Sequence, residues 1–249
     1  MGDIDQALAR AYARRVATAA PPSPPPPHFA VDPTPRDLGA SATLEWPRTV
    51  LALERGHGER FERLAEILLA ARDGSHLRTL LFTSCHRSEG RTTLVLALAR
   101  ALARRPGRTL LVDADLAGPM LARSLGLRPR LGLDDVIEAA APAADAIIEA
   151  PDDHLSVLPL RAPVARPREF LAAPAWLTTM ARLRREFDLV LIDGSPLFAG
   201  LSEPNIPRAV DASILVHNRT LTGPKAVLRA REAIDAAGLP LLGLAETFV

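Results

Sequence analysis

Thr79-Leu-Leu-Phe-Thr-Ser-Cys-His-Arg-Ser-Glu-Gly-Arg-Thr-Thr93 is the stretch that decides the fold. Its apolar opening, rich in Leu and Phe, reads as a buried strand. A polar loop follows, then an almost wholly apolar helix predicted over Thr92 to Ala103. In this order the helix N-terminus sits at the strand's end, where open backbone N–H groups and the positive end of the macrodipole hold an anion. Gly90-Arg91-Thr92 stands where the phosphate loop G-x-x-x-x-G-K-[ST] has Gly-Lys-Ser/Thr, so the expected anion is a nucleotide phosphate. The match departs twice. Cys85 takes the place of the first glycine and Arg91 that of the lysine.

Two further stretches work with the first. Thr109-Leu-Leu-Val-Asp-Ala-Asp115 is an apolar strand ending in two carboxylates, and Asp188-Leu-Val-Leu-Ile-Asp-Gly-Ser-Pro196 is another ending in Asp193. In an open parallel α/β sheet, ligands collect at the carboxyl ends of the strands. Ser84, Asp113 and Asp193 are therefore expected to converge on one crevice. A phosphate loop beside carboxylates suits a magnesium nucleotide, since Mg²⁺ takes a few carboxylates together with phosphates and water. The competing reading is that each Asp caps the turn after its strand.

The 249 residues suit one α/β domain of about 200 residues plus an extension. Nearly half the residues are apolar, enough for a large core. A net charge of +1 gives no global pull toward nucleic acid or acidic membranes, and no nucleic-acid partner is expected. The lone Cys85 excludes an internal disulfide and fits a reducing cytosol. No apolar run approaches the ~20 residues that span a bilayer, and the N-terminus lacks a signal-peptide core. The expectation is a soluble cytoplasmic protein that docks at the inner face of the membrane only through a partner.

Residues 1–19 form the first expected unit, with a helix over 3–18. Asp3 and Gln6 resemble a capping box, and Ile4, Leu8, Ala11, Tyr12 and Val16 make one apolar stripe. Residues 20–42 are a Pro-rich linker, expected to be disordered, in which Ala20–Pro27 is a stiff polyproline spacer. The helix ahead of it reads equally as a docking module or as a segment that folds back or hangs free. Residues 43–249 are the nucleotide-binding domain. Within it an amphipathic helix is predicted over 58–72 and short helical patterns over 118–125 and 133–139. A strand over 155–160 and a helix over 168–187 follow. The last elements are strands over 212–217 and 241–244, with a helix over 223–237 between them. Strands alternating with helices indicate βαβ units and a parallel sheet.

With these residues placed, the sequence resembles the bacterial tyrosine kinases of capsule and exopolysaccharide synthesis, the CpsD/CapB type. The Walker A loop, the Asp-x-Asp strand and the Walker B strand of that family look like Ser84–Thr93, Leu110–Asp115 and Leu189–Asp193. The resemblance covers residues 58–247 and implies a three-layer P-loop NTPase with a mainly parallel central sheet flanked by helices. It implies ATP or ADP with Mg²⁺ as cofactors. Ser88, Glu89, Gly90, Arg91, Thr92 and Thr93 would hold the phosphates, and Thr92, Asp113 and Asp193 the metal. Asp115 would stand in the place of the catalytic base, with Arg91 beside it. The partner implied is a membrane polysaccharide co-polymerase, docked through residues 3–18, and a homo-oligomer is a second implied assembly.

The departures fall on functional positions. The family loop reads Pro-Gly-Glu-Gly-Lys, against Arg87-Ser88-Glu89-Gly90-Arg91 here. Ser88 has a Cβ and resists the positive φ that glycine tolerates, and the arginine fork is not a point charge like lysine. The basic residue expected two after the second Asp is Ala117, and the Glu-x-x-Arg-x-x-Arg signature is reduced to Glu59, Glu62 and Ala65. A tyrosine-rich tail is not expected, since the sequence given runs to Val249 with Tyr12 as its one tyrosine. The reading is a regulatory member with kinase activity weak or lost. Its rivals are an active tyrosine kinase or ATPase using Arg91 in place of lysine, and a nucleotide-free interaction module or partition-type ATPase relative.

Overall fold

The computed structural model describes residues 41–75, 77–197 and 205–247. The helix expected over 3–18, the polyproline run and nearly all of the 20–42 linker lie outside these residues. Where the description opens, Ser41 bridges to Glu149 and the Ala42 amide donates to the Glu149 carbonyl at 2.9 Å.

The strands are β1 (Thr79–Ser84), β2 (Thr109–Ala114), β3 (Ile148–Ala150), β4 (Leu155–Leu158), β5 (Leu189–Gly194), β6 (Ala212–Asn218) and β7 (Leu241–Thr247). They form one sheet in the order β3-β4-β2-β5-β1-β6-β7. Every pairing is parallel except the β3–β4 edge hairpin. The helices are α1 (Arg48–Ser75), α2 (Arg91–Ala103), α3 (Leu121–Ser124), α4 (Leu133–Glu138), α5 (Ala143–Ala146), α6 (Pro167–Ala172), α7 (Pro174–Glu186), α8 (Ile206–Ala209) and α9 (Pro224–Ala236). The three-layer fold is the one the resemblance implies. Among the described residues no helix is long and apolar enough to cross a membrane.

Strand side chains alternate between faces, and this alternation divides the core in two. Leu80, Phe82, Leu111, Leu189 and Leu191 face the layer of α1 and α2, while Leu81, Val112, Val190 and Ile192 face the layer of α4, α7 and α9. Continued by one step, the same period puts Ser84, Asp113 and Asp193 on the α2 side. The apolar strand is thus also what aims the polar residue at its end.

Some boundaries differ from the sequence expectation. α1 begins ten residues before position 58 and carries a non-helical kink at His57. Pro47 precedes its start and suits a helix N-terminus. The helix expected over 168–187 is two, because Ala173 takes the extended backbone (φ −60°, ψ 135°) that a following proline favours.

Asp211 anchors the start of β1. Its Oδ2 accepts from the Arg78 amide, the Thr79 amide and the Thr79 hydroxyl, each at 2.9 Å, and its other oxygen pairs with Arg184. Hydrogen bonds to a charged group contribute about 1.5–3 kcal/mol. Asp211→Ala should therefore cost about 1.5–3 kcal/mol in urea unfolding with the slope unchanged, whereas a deficit under about 0.5 kcal/mol would show that water replaces the carboxylate.

Candidate functional site

The loop after β1 ends at Gly90, which caps α2 in the left-handed region at φ 80°. A Cβ there would meet the Thr247 side chain at 3.2–3.4 Å, so both backbone and space require glycine. The first helical bond runs from the Leu94 amide to the Gly90 carbonyl at 2.9 Å. The amides of Arg91, Thr92 and Thr93 precede it and remain available to an anion. Ser88 is also left-handed, at φ 63°, which costs a residue with a Cβ about 1–2 kcal/mol.

Register brings the carboxylates together. Asp113 of β2 lies directly opposite Asp193 of β5, and Asp193 opposite Phe82 of β1. Paired residues share a face, so Asp113 and Asp193 adjoin. Ser84, two residues past Phe82, points the same way. Gly194 then permits close approach, since a Cβ there would sit 2.5 Å from Leu81 Cδ1.

Arg91 turns inward to this cluster rather than out over the loop. Its Nε donates to Asp193 Oδ1 at 2.7 Å, one terminal nitrogen to Ser84 Oγ at 3.0 Å, and the other to Asp115 Oδ2 at 2.9 Å. The residue is only 6% exposed. Burial works against its charge, but Asp193 and Asp115 outweigh it and hold the guanidinium above the ordinary arginine range. Thr92 donates its hydroxyl to the second oxygen of Asp193 at 2.7 Å. Burial lifts the Asp193 carboxyl, opposed by the Arg91 charge and the Thr92 hydroxyl.

Asp113 caps α3. Its oxygens accept the Asp115 amide at 3.2 Å, the Met120 amide at 3.0 Å and the Leu121 amide at 2.9 Å. Burial and the neighbouring Asp193 nevertheless push it up to about 7. The Asp115 oxygens meet two guanidiniums, Arg91 on one side and Arg87 at 3.1 Å on the other.

Glu89 is buried and faces the protein. It accepts the His86 amide at 2.7 Å, the Asn218 amide at 3.3 Å and the Thr222 hydroxyl, while its carbonyl accepts the Thr247 hydroxyl at 2.6 Å. Its carboxylate braces the loop against the end of β6 and Thr222, and its carbonyl against the end of β7. Cys85 is buried, its thiol raised to about 11 by desolvation and by the charge of Glu89, which makes it a filler rather than a nucleophile.

The structure therefore gathers Ser84, Arg91, Thr92, Asp113, Asp115 and Asp193 into one knot at the strand ends. Residues 88–93 form the loop and the first turn of α2. Mg²⁺ needs free oxygens at about 2.0–2.1 Å, yet both oxygens of Asp193 and of Asp113 already accept protein donors, and the Arg91 guanidinium lies against Asp193. In this arrangement the ion does not fit. Three residues beside the loop escaped the sequence reading: Arg87, Asn218 and Thr247. The buried Asn218 Nδ2 has no partner among the described residues. The strand-end rule could have singled out Asn218, whereas nothing local marks Arg87.

No protein-family model matches the chain. Tyrosine-protein kinase CpsD of Streptococcus pneumoniae is 25% identical over 172 residues, which cover 69% of this chain and 76% of that one. The kinase domain of Escherichia coli tyrosine kinase ETK superposes with a TM-score of 0.72, at 22% identity over 80% of each chain. The chain is thus similar, in sequence and in fold, to the CpsD/CapB-type bacterial tyrosine kinases. Beyond that family the fold extends to the septum site-determining protein MinD of Pyrococcus horikoshii complexed with Mg-ADP, with a TM-score of 0.56, 25% identity and coverage of 68% and 69%. Set against the Pro-Gly-Glu-Gly-Lys loop of the kinases it resembles, this chain keeps Glu89 and Gly90 and has in the lysine's place an arginine whose three donor positions all bind protein.

Proposed function

We propose that the chain is a nucleotide-binding regulatory member of a capsule or exopolysaccharide synthesis system, with phosphoryl transfer weak or lost. The single observation that carries this reading is the inward lock of Arg91 on Ser84, Asp115 and Asp193. Phosphoryl transfer depends on positioned positive charge over the transferring group, and here the loop cation is turned into the sheet. Asp115, in the place of a base, is engaged by two guanidiniums.

Binding itself is supported by the Gly90 turn and the open amides of Arg91, Thr92 and Thr93, which suit the diphosphate of ADP or ATP. Asn218 offers a free donor for the rest of the nucleotide. Residues 43–249 serve as the nucleotide domain and residues 3–18 as the contact with a membrane co-polymerase, which would keep the protein at the inner membrane face.

Calorimetry with millimolar ADP, together with phosphate release and phosphotyrosine detection from ATP, tests the reading. ADP should bind, and Gly90→Val should weaken it at least ~10-fold, equivalent to about 1.4 kcal/mol. Turnover should fall at least ~100-fold below CpsD assayed alongside, the scale of losing one charge-stabilising group. Phosphotyrosine formed at a rate comparable to that of CpsD would favour the active-kinase reading instead.

A further inference from the structure

The knot at the strand ends has the charge arrangement of a cation site, and a cation is already in it. We propose that the Arg91 guanidinium is a resident replacement for the divalent ion, so that the loop binds nucleotide phosphates without Mg²⁺. The claim deepens the nucleotide reading and rests on it for the phosphate half alone.

The geometry supports it on three counts. First, the planar fork donates in three directions, to Asp193 at 2.7 Å, Ser84 at 3.0 Å and Asp115 at 2.9 Å. A lysine ammonium is one compact charge at the end of a flexible stem and cannot span these three acceptors as a rigid plane. Second, the oxygens a metal would use have other partners. Asp193 accepts Arg91 on one oxygen and the Thr92 hydroxyl on the other, each at 2.7 Å, and Asp113 accepts three backbone amides at 2.9–3.2 Å. Third, two of the three carboxylates already face guanidiniums, while Asp113 is held by backbone amides. Arg87 closes the outer oxygen of Asp115 at 3.1 Å, giving two guanidiniums against Asp115 and Asp193. A dication placed among them would face two fixed positive groups. The neighbouring backbone completes the arrangement, because Arg87 lies over Gly118, where a Cβ would meet its terminal nitrogen at 2.4 Å. Hence the two arginines of the loop, Arg87 and Arg91, close the carboxylates from both sides.

The test uses the full chain and Mn²⁺ as a paramagnetic stand-in for Mg²⁺, because Mn²⁺ favours the same hard oxygen donors. Free and bound Mn²⁺ are measured by electron paramagnetic resonance, without nucleotide and then with ADP. ADP affinity is measured separately by calorimetry in Mg²⁺ and in EDTA. Wild type should bind no Mn²⁺ at the knot, and its ADP affinity should change less than about 2-fold between Mg²⁺ and EDTA. Arg91→Lys, checked for folding by circular dichroism, should gain Mn²⁺ binding and bind ADP at least ~10-fold tighter with Mg²⁺. Wild type that binds Mn²⁺ stoichiometrically, alone or with ADP, overturns the proposal. It is equally overturned if folded Arg91→Lys and Arg91→Ala both gain no Mn²⁺. Should both variants misfold, the wild-type Mn²⁺ titration decides alone. Absence of ADP binding with Mn²⁺ excluded from wild type and gained by the variants would sink the nucleotide reading while leaving the resident-cation claim standing.

Discussion

Arg91→Met should unfold with a stability about 3–5 kcal/mol below wild type in magnesium-free buffer, the usual cost of removing one partner from a buried ion pair. Methionine fills much of the aliphatic volume, so the loss reports charge more than packing. Asp193 would then retain only the Thr92 hydroxyl, and Asp115 only the half-exposed Arg87. In a domain of this size each kcal/mol moves the melting temperature by roughly 2–4 °C, so the shift is easily measured. Adding Asp193→Asn to Arg91→Met removes the stranded charge and should recover part of the loss, and the double-mutant cycle isolates the coupling. Millimolar Mg²⁺ should also recover part of it, because an ion that binds only the folded form stabilises by mass action. A deficit below about 1 kcal/mol in Arg91→Met would mean that the carboxylates are served by water.

Glu89→Ala should produce the second large effect, and it should be local. Removing this carboxylate leaves the His86 amide, the Asn218 amide and the Thr222 hydroxyl without their acceptor inside the protein. Hydrogen bonds to a buried charge contribute about 1.5–3 kcal/mol each and do not add fully, so about 2–4 kcal/mol is expected. Glu89→Gln retains one acceptor oxygen and should show a smaller deficit. Amide hydrogen exchange distinguishes a brace from general destabilisation. Protection should fall first at residues 85–90 and at the ends of β6 and β7, while the centre of β2 stays protected to the global limit. Uniform loss across the sheet would assign Glu89 to the core instead.

Much of this architecture is legible in the sequence because one rule serves two purposes. The period-2 alternation that buries Leu80 and Phe82 also fixes the direction of Ser84, and the same holds for Leu111 with Asp113 and Leu191 with Asp193. The place of Gly90 is legible from the phosphate-loop spacing, since Gly90-Arg91-Thr92 stands where the motif has Gly-Lys-Ser/Thr. What escapes is of another kind. β3 has three residues and pairs antiparallel at the edge, too short to carry a periodic signal. The break at Pro174 is written in the chain, but the apolar pattern on both sides runs through it. The inward turn of Arg91 depends on acceptors from two strands and a loop, Ser84, Asp193 and Asp115, the last two distant in sequence. A motif gives the type of a charge at position 91; only the assembled sheet gives its direction. Arg87 is the same case, its partner Asp115 lying 28 residues away.

The alignment of Asp113 opposite Asp193 also bears on how the sheet finds its register. A one-residue slip turns a strand's side chains to the other face, and these apolar strands offer little else to tell neighbouring alignments apart. A one-residue slip of β2 against β5 would drive a carboxylate into the opposite layer, beside Trp176 and Met180, away from its hydrogen-bond donors. The native alignment lets Asp193 meet Arg91 while Asp113 meets the amides of Asp115, Met120 and Leu121. The knot is in this respect a proofreading device for the fold, rejecting near-miss sheets whose greasy surfaces pack almost as well. That selection acts during folding, before any nucleotide arrives.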